Sequence, residues 1–180
     1  MATGRSQFVG AAGQFYLAYG LSIRNINASI TIGNAPSVDV MASSDDGRRS
    51  LSIQVKTSRD AYRKKRHGHT GYEWDVGKSV IGKYSESFWY ALIHLHENEK
   101  NKWDPKVFFV PSKWVADFVK PTFSRKTYFL ASKTDFQLVK DLTFDRWDLV
   151  KKYLNGDKEA IDWANNYPED ILVKWGKTKK

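Results

Sequence analysis

Two short runs, residues 38–43 and 50–57, constrain this chain more than any other feature. Val38, Val40 and Ala42 alternate with polar residues or Met41 in the first, and Leu51, Ile53 and Val55 alternate with polar residues in the second. That two-residue period is the mark of half-buried strands. Asp45-Asp46-Gly47-Arg48 between them carries an Asp-Gly hairpin signal. With Asp46-Gly47 in a two-residue turn, Val38 faces Val55, Val40 faces Ile53 and Ala42 faces Leu51. The apolar pairs then share one face. The other face sets Asp39 opposite Gln54, Met41 opposite Ser52 and Ser37 opposite Lys56. A one-residue slip would drive Asp39 in among the apolar residues, which register disfavours. A two-residue slip would keep the face and change the partner.

The flanking chain reads as a mixture of helices and strands. Residues Gln7 to Tyr19 are expected to form a first helix, capped by Ser6 and stopped at Gly20, with an apolar stripe of Phe8, Ala11, Ala12, Phe15 and Ala18. Gly10 and Gly13 weaken that helix and mark close packing. A strand is expected over Asn27 to Ile32, a turn at Gly33 to Pro36, and a basic loop or short helix over Arg59 to His69. Tyr72 to Val76, Lys106 to Val110, Lys126 to Ala131 and Phe136 to Val139 read as strands. Ser85 to Glu99, Ser112 to Val119, Asp145 to Leu154 and Asp157 to Asn165 read as helices, and the tail Lys174 to Lys180 is basic. The expectation is an α/β chain, with a mixed sheet flanked by helices in one domain spanning 1–180.

Composition narrows the chemistry. Among 180 residues there is no cysteine, so thiol nucleophiles, zinc-thiolate sites and disulfides are excluded. No apolar stretch reaches the length of a spanning helix and the N-terminus lacks a signal-peptide pattern, so a cytoplasmic location without membrane contact is expected. Twenty-nine Lys+Arg against twenty Asp+Glu leave a net charge of +9. Such a basic balance suits a polyanionic partner such as nucleic acid, and serves solubility as well. Phosphate-loop, dinucleotide, zincin and serine-hydrolase motifs are absent.

The polar face of the hairpin gathers an acid, an amide and an ammonium. A hard cation such as Mg²⁺ takes oxygen ligands, and Asp39 and Gln54 offer them. Lys56 can offset charge developing on a phosphate. The same trio is also ordinary on a solvated sheet face. Directly beyond it come Arg59, Arg63, Lys64, Lys65 and Arg66, a cluster suited to a phosphate backbone, with Arg48 and Arg49 at the hairpin tip as further contacts. His67 and His69 find no third ligand nearby. His94 and His96, on a predicted helix, do not face each other. Trp89, Trp103, Trp114 and Trp147 read as core residues.

The run Pro36-Ser-Val-Asp39-Val followed by Ile53-Gln54-Val55-Lys56-Thr57 resembles the PD-(D/E)xK nuclease superfamily, in the variant that carries Gln-x-Lys. Residues 10–20 are similar to that family's first helix. The resemblance covers 6–58 and extends weakly over 88–119. It implies a restriction-endonuclease-like fold and a metal-dependent endonuclease that hydrolyses phosphodiester bonds of nucleic acid, with DNA expected, using Mg²⁺ or Mn²⁺. By position, Asp39 is the metal-binding acid, Gln54 the substituted second ligand, the Val55 carbonyl a further ligand and Lys56 the catalytic lysine. Gln14 stands where many members have a first-helix acid. Two glutamines at positions often occupied by Glu leave a second reading open, a catalytically inactive fold that binds nucleic acid or a partner protein. Some members are homodimers, and the sequence leaves that point open.

Overall fold

The computed structural model describes residues 4–32, 37–66, 69–80, 84–119, 127–131 and 137–166. In chain order the elements are α1 (Gly4–Ser22), β1 (Asn27–Ile30), β2 (Val40–Ser43), β3 (Ser50–Ser58), β4 (Tyr62–Arg66), β5 (His69–Asp75), β6 (Phe88–His94), β7 (Lys106–Pro111), α2 (Ser112–Phe118), β8 (Thr127–Ala131), α3 (Gln137–Thr143), α4 (Trp147–Leu154) and α5 (Lys158–Asn165). A five-stranded sheet runs β1-β2-β3-β6-β7, parallel between β3 and β6 and antiparallel elsewhere. A second, antiparallel sheet runs β4-β5-β8. The α/β class and the helix-flanked mixed sheet agree with the sequence reading.

The β2–β3 hairpin takes the register its apolar residues dictate. Val40 pairs with Ile53 and Ala42 with Leu51, all four fully buried. The turn is longer than two residues. Ser44 N–H donates to the Arg49 carbonyl, and Gly47 N–H closes back onto the Ser44 carbonyl, both at 3.0 Å. Gly47 takes φ +70°, a conformation that suits glycine, while Asp46 does not need it.

Side chains alternate across each strand, so the large sheet has two covered faces. Val40, Ile53, Val55, Trp89, Ala91, Val107 and Phe109 pack beneath α1, α4 and α5 through Leu17, Leu21, Trp147, Val150 and Ala160. Tyr90, Leu92, Phe108 and Val110 pack against the second sheet and α2 through Tyr72, Trp74 and Trp114. The Trp74 indole donates to the Ile93 carbonyl at 3.0 Å and fastens one sheet to the other.

Several expectations fail for identifiable reasons. Residues 88–94 form a strand, not the helix expected over Ser85 to Glu99. β6 lies between β3 and β7 with both faces covered, so its apolar run shows no alternation to distinguish strand from helix. Residues 62–66 pair with β5 as a strand, with a register shift between Arg63 and Arg66, where a loop or short helix was expected. Residues 137–143 are helical where Phe136 to Val139 read as a strand. The first helix extends to Ser22 and ends on Asn25 (φ +57°). There Ile26 N–H returns to the Leu21 carbonyl and Asn25 N–H to that of Ser22. Gly20 therefore does not stop the helix. A Cβ there would meet the Trp147 ring at 2.4 Å, so it allows close approach instead. The expected stripe of α1 also faces outward, with Phe8 77% and Phe15 67% exposed. Leu17 and Leu21 are the large side chains it buries. Trp89, Trp114 and Trp147 are core, whereas Trp103 is half exposed. The expected turn at Gly33 to Pro36, His67 and the basic tail lie outside the described residues.

Candidate active site

The chain between β1 and β2 sets the first functional group. Val40 pairs with Ile53, and Asp39 N–H donates to the same Ile53 carbonyl at 2.9 Å. Two residues thus stand against one, the arrangement of a β-bulge, which re-aims a side chain. Asp39 is not simply opposite Gln54, as a continuous ladder would place it. Its carboxylate instead takes the role of the next rung: Oδ2 accepts the Val55 N–H at 2.7 Å. A residue's N–H and C=O face the same strand edge. The Val55 carbonyl therefore lies on this edge too, beyond the last paired residue of β2.

Gln14 reaches the same carboxylate from α1. Its Nε2 donates to Asp39 Oδ1 at 2.8 Å. The approach depends on Gly13, where a Cβ would fall 1.9 Å from Thr57 Oγ1. Of the two glycines expected to mark close packing, Gly13 does so and lays α1 directly on the end of β3. Gly10, one turn earlier, meets nothing within 4 Å. Asp39 is thus half-buried and held by two N–H donors, both neutral.

Gln54 and Lys56 lie two residues apart on the face of β3 opposite Val55, and both are half-buried. Their register partners on β6 are Tyr90 and Leu92. Burial pushes the Tyr90 phenol up to about 12, so it stays protonated at neutral pH and serves only as a neutral group beside Gln54. Among the described residues no carboxylate forms an ion pair with Lys56.

The structure therefore gathers Gln14, Asp39 and Val55 at one edge of β3, with Gln54 and Lys56 on its adjoining face. The donors Asp39, Gln54 and the Val55 carbonyl are all oxygen, the type a hard divalent cation takes. Only one of them is charged. Among the described residues no group of three or more His, Asp or Glu side chains could hold a metal.

The basic residues divide. Arg59 and Lys64 are exposed, whereas Arg63 is half-buried, 4.0 Å from Glu73. Lys65 and Arg66 lie in β4, with side chains outside the described residues. Arg48 and Arg49 stand at the far end of the hairpin, seven residues of β-structure before Lys56, a span of about 23 Å. Arg48 is 3.4 Å from Asp46, and the Arg49 guanidinium lies over Gly156. The sequence did not single out Lys106 and Lys140, which the fold brings near Arg59. Their distance along the chain gave no signal. His94 and His96, expected to point apart on a helix, instead follow strand spacing, with ring centroids 5.5 Å apart.

No helix among the described residues is long and apolar enough to cross a membrane. No protein-family model matches the sequence, and no curated protein matches it. Among solved structures, the fold is similar to that of a bacterial homing endonuclease, I-Ssp6803I. The two share 14% identity at a TM-score of 0.52, over 88% of this chain and 99% of that one. The likeness is one of fold: this chain's mixed sheet and flanking helices are arranged similarly to those of that endonuclease.

Proposed function

We propose that this chain is a metal-dependent endonuclease, hydrolysing phosphodiester bonds of nucleic acid, with DNA as the polymer. The observation that supports it most is the bulge at Asp39. It removes one carboxylate from the β2 ladder and sets it at the β3 edge that also carries the Val55 carbonyl, next in sequence to Lys56, whose ammonium forms no ion pair with a carboxylate among the described residues. The likeness in fold to that endonuclease and the excess of basic residues agree with this reading.

Asp39, with the Gln54 amide oxygen and the Val55 carbonyl, would hold Mg²⁺ or Mn²⁺. Bound there, the ion would supply Lewis-acid stabilisation of the phosphate. The Lys56 ammonium faces the charge that builds on the phosphate oxygens as water attacks, and stabilises it there. Gln14 is a positioning residue: its amide fixes the Asp39 carboxylate. Protonated Tyr90 supplies no base. Arg59 and Lys64 contact the backbone on either side without reading sequence.

One observation favours a second reading, in which the fold binds nucleic acid without cutting it. Among the described residues Asp39 is the single carboxylate at the site, and both its oxygens already accept hydrogen bonds. Cleavage of labelled duplex, single strand, four-way junction and RNA in Mg²⁺ and Mn²⁺ separates the two. Metal-dependent cutting that Lys56→Ala abolishes supports the nuclease. Intact probes, retained in a salt-sensitive and EDTA-insensitive manner, support the binding protein.

A further inference from the structure

Beyond Lys56, β3 and β6 continue for one more pair on the same face, Ser58 against His94. That step displaces the site by about 6.6 Å along the strand. There the two sheets part around a cavity of about 470 Å³. Its wall carries three cations from three segments far apart in sequence. Arg59 follows β3, Lys106 opens β7 and Lys140 lies on α3, with Asp60 as the one lining carboxylate among the described residues. Cations that line one cavity repel one another, which a bound anion relieves. Tyr62 adds an aromatic wall, more than a third exposed.

His94 lines the same cavity and is only 6% exposed. Its Nε2 lies 2.9 Å from the Arg59 carbonyl, so that nitrogen carries the proton and donates. Nδ1 is then an acceptor, buried with no hydrogen-bond partner among the described residues. Leaving such an atom unsatisfied costs about 1–3 kcal/mol. An occupant with N–H or O–H donors beside its negative charge answers both features, as a nucleotide does. The volume lies in the range of small-ligand pockets.

We propose that this cavity is a subsite for one nucleotide of the nucleic-acid strand, its phosphate on Arg59, Lys106 and Lys140 and its base against Tyr62. It adjoins Lys56 on the same face, so a strand seated here continues past the scissile position. The inference rests on the nucleic-acid reading above but not on cleavage.

The test compares wild type, Lys56→Ala and Lys106→Gln/Lys140→Gln by anisotropy of a labelled single-stranded oligonucleotide across a salt series, with a mononucleotide as competitor. The double variant is expected to bind roughly ten-fold more weakly, and its log K against log salt slope should shrink by about 1.4. Lys106→Arg/Lys140→Arg should restore both, which separates charge from misfolding. Unchanged affinity and slope in the Gln variant would overturn the subsite while leaving the nuclease standing. Loss of binding in that variant, in a protein that cuts nothing, would sustain the subsite and remove the nuclease. Mononucleotide competing as tightly as the strand would overturn the strand assignment in favour of a free-nucleotide site.

Discussion

At the start of β3, Arg48 stands beside Asp46 and Arg49 lies over the backbone at Gly156, both in solvent at a hairpin tip. At its end, Lys56 has no carboxylate partner among the described residues, an acid is held at the strand edge, and three further cations line a cavity together with Asp60. The tip balances Arg48 and Arg49 with Asp45 and Asp46, whereas the other end sets Lys56, Arg59, Lys106 and Lys140 against Asp39 and Asp60. The two ends differ in what the neighbours do with the charge. At the tip a local carboxylate and open water absorb it. At the other end the fold positions cations from distant segments against half-buried groups, where a charge acts over less screened distances.

The largest test of that contrast is catalytic. Lys56→Ala should lower metal-dependent cleavage by about 10²–10³-fold, the usual cost of one donor facing transition-state charge. Arg48→Gln/Arg49→Gln at the tip should leave the rate near wild type. Equal losses at the two ends, measured on the same labelled duplex, would break the comparison.

The next effect concerns what holds the Asp39 end of β3 in place. Gly13→Ala drives a methyl group into Thr57, and α1 must lift from β3. Overpacking of this kind costs about 1–3 kcal/mol. It should also weaken the Gln14–Asp39 bond, so cleavage falls with stability. Gly10→Ala has open space and a helical backbone, and should stabilise by up to about 1 kcal/mol. Urea melts of the two variants should shift in opposite directions. A shared direction would mean that α1 does not sit on β3 as described.

These glycines also show how far the sequence could be read. Both stood out as weak points in a helix and both were expected to mark close packing, which holds for Gly13 and fails for Gly10. The hairpin register was legible because one of its faces is buried and a slip would expose Val40 and Ile53. β6 was not, because a strand covered on both faces loses its period. The Asp39 bulge leaves no trace in residue pattern: one backbone N–H moves from a carbonyl to a carboxylate. Gln14 was legible as a position beside the site, and its bond to Asp39 came only from the placement of α1. Lys106 and Lys140 were illegible as site residues because neither lies near Arg59 in sequence.

A smaller effect should appear in the pH dependence of stability. Burial, foremost, holds the His94 imidazole below its ordinary 6.5. The neighbours His96 and Lys106 add to that, while the bond to the Arg59 carbonyl and the carboxylate of Asp60 oppose it. The unfolded chain then binds a proton at a higher pH than the folded one. Stability rises with pH through that window and falls as pH drops from 6.5 toward the lowered folded value. His94→Asn removes this term, so its unfolding free energy should change less between neutral and mildly acidic pH than that of wild type. Parallel profiles would show that the fold does not bury this imidazole.

The smallest effect should come from the tip itself. Arg48→Gln removes a cation that is largely exposed and 3.4 Å from Asp46, whose carboxyl is held below its ordinary value first by the Ser44 hydroxyl and then by the Arg48 backbone N–H. Neither of those bonds needs the Arg48 side chain. The Ser44 hydroxyl, the Arg48 N–H and the positive φ of Gly47 all survive the substitution, so the turn should keep its shape. Stability should stay within about 0.5 kcal/mol of wild type, as for most surface changes. Ser44→Ala is the sharper probe, because that hydroxyl donates to Asp46 at 2.7 Å and accepts the Arg49 N–H at 3.0 Å. It should cost about 1 kcal/mol in the same melt. If Arg48→Gln proves the costlier of the two, the tip is held by its ion pair and not by its hydroxyl. The charge at that end would then have a structural use that the comparison denies it.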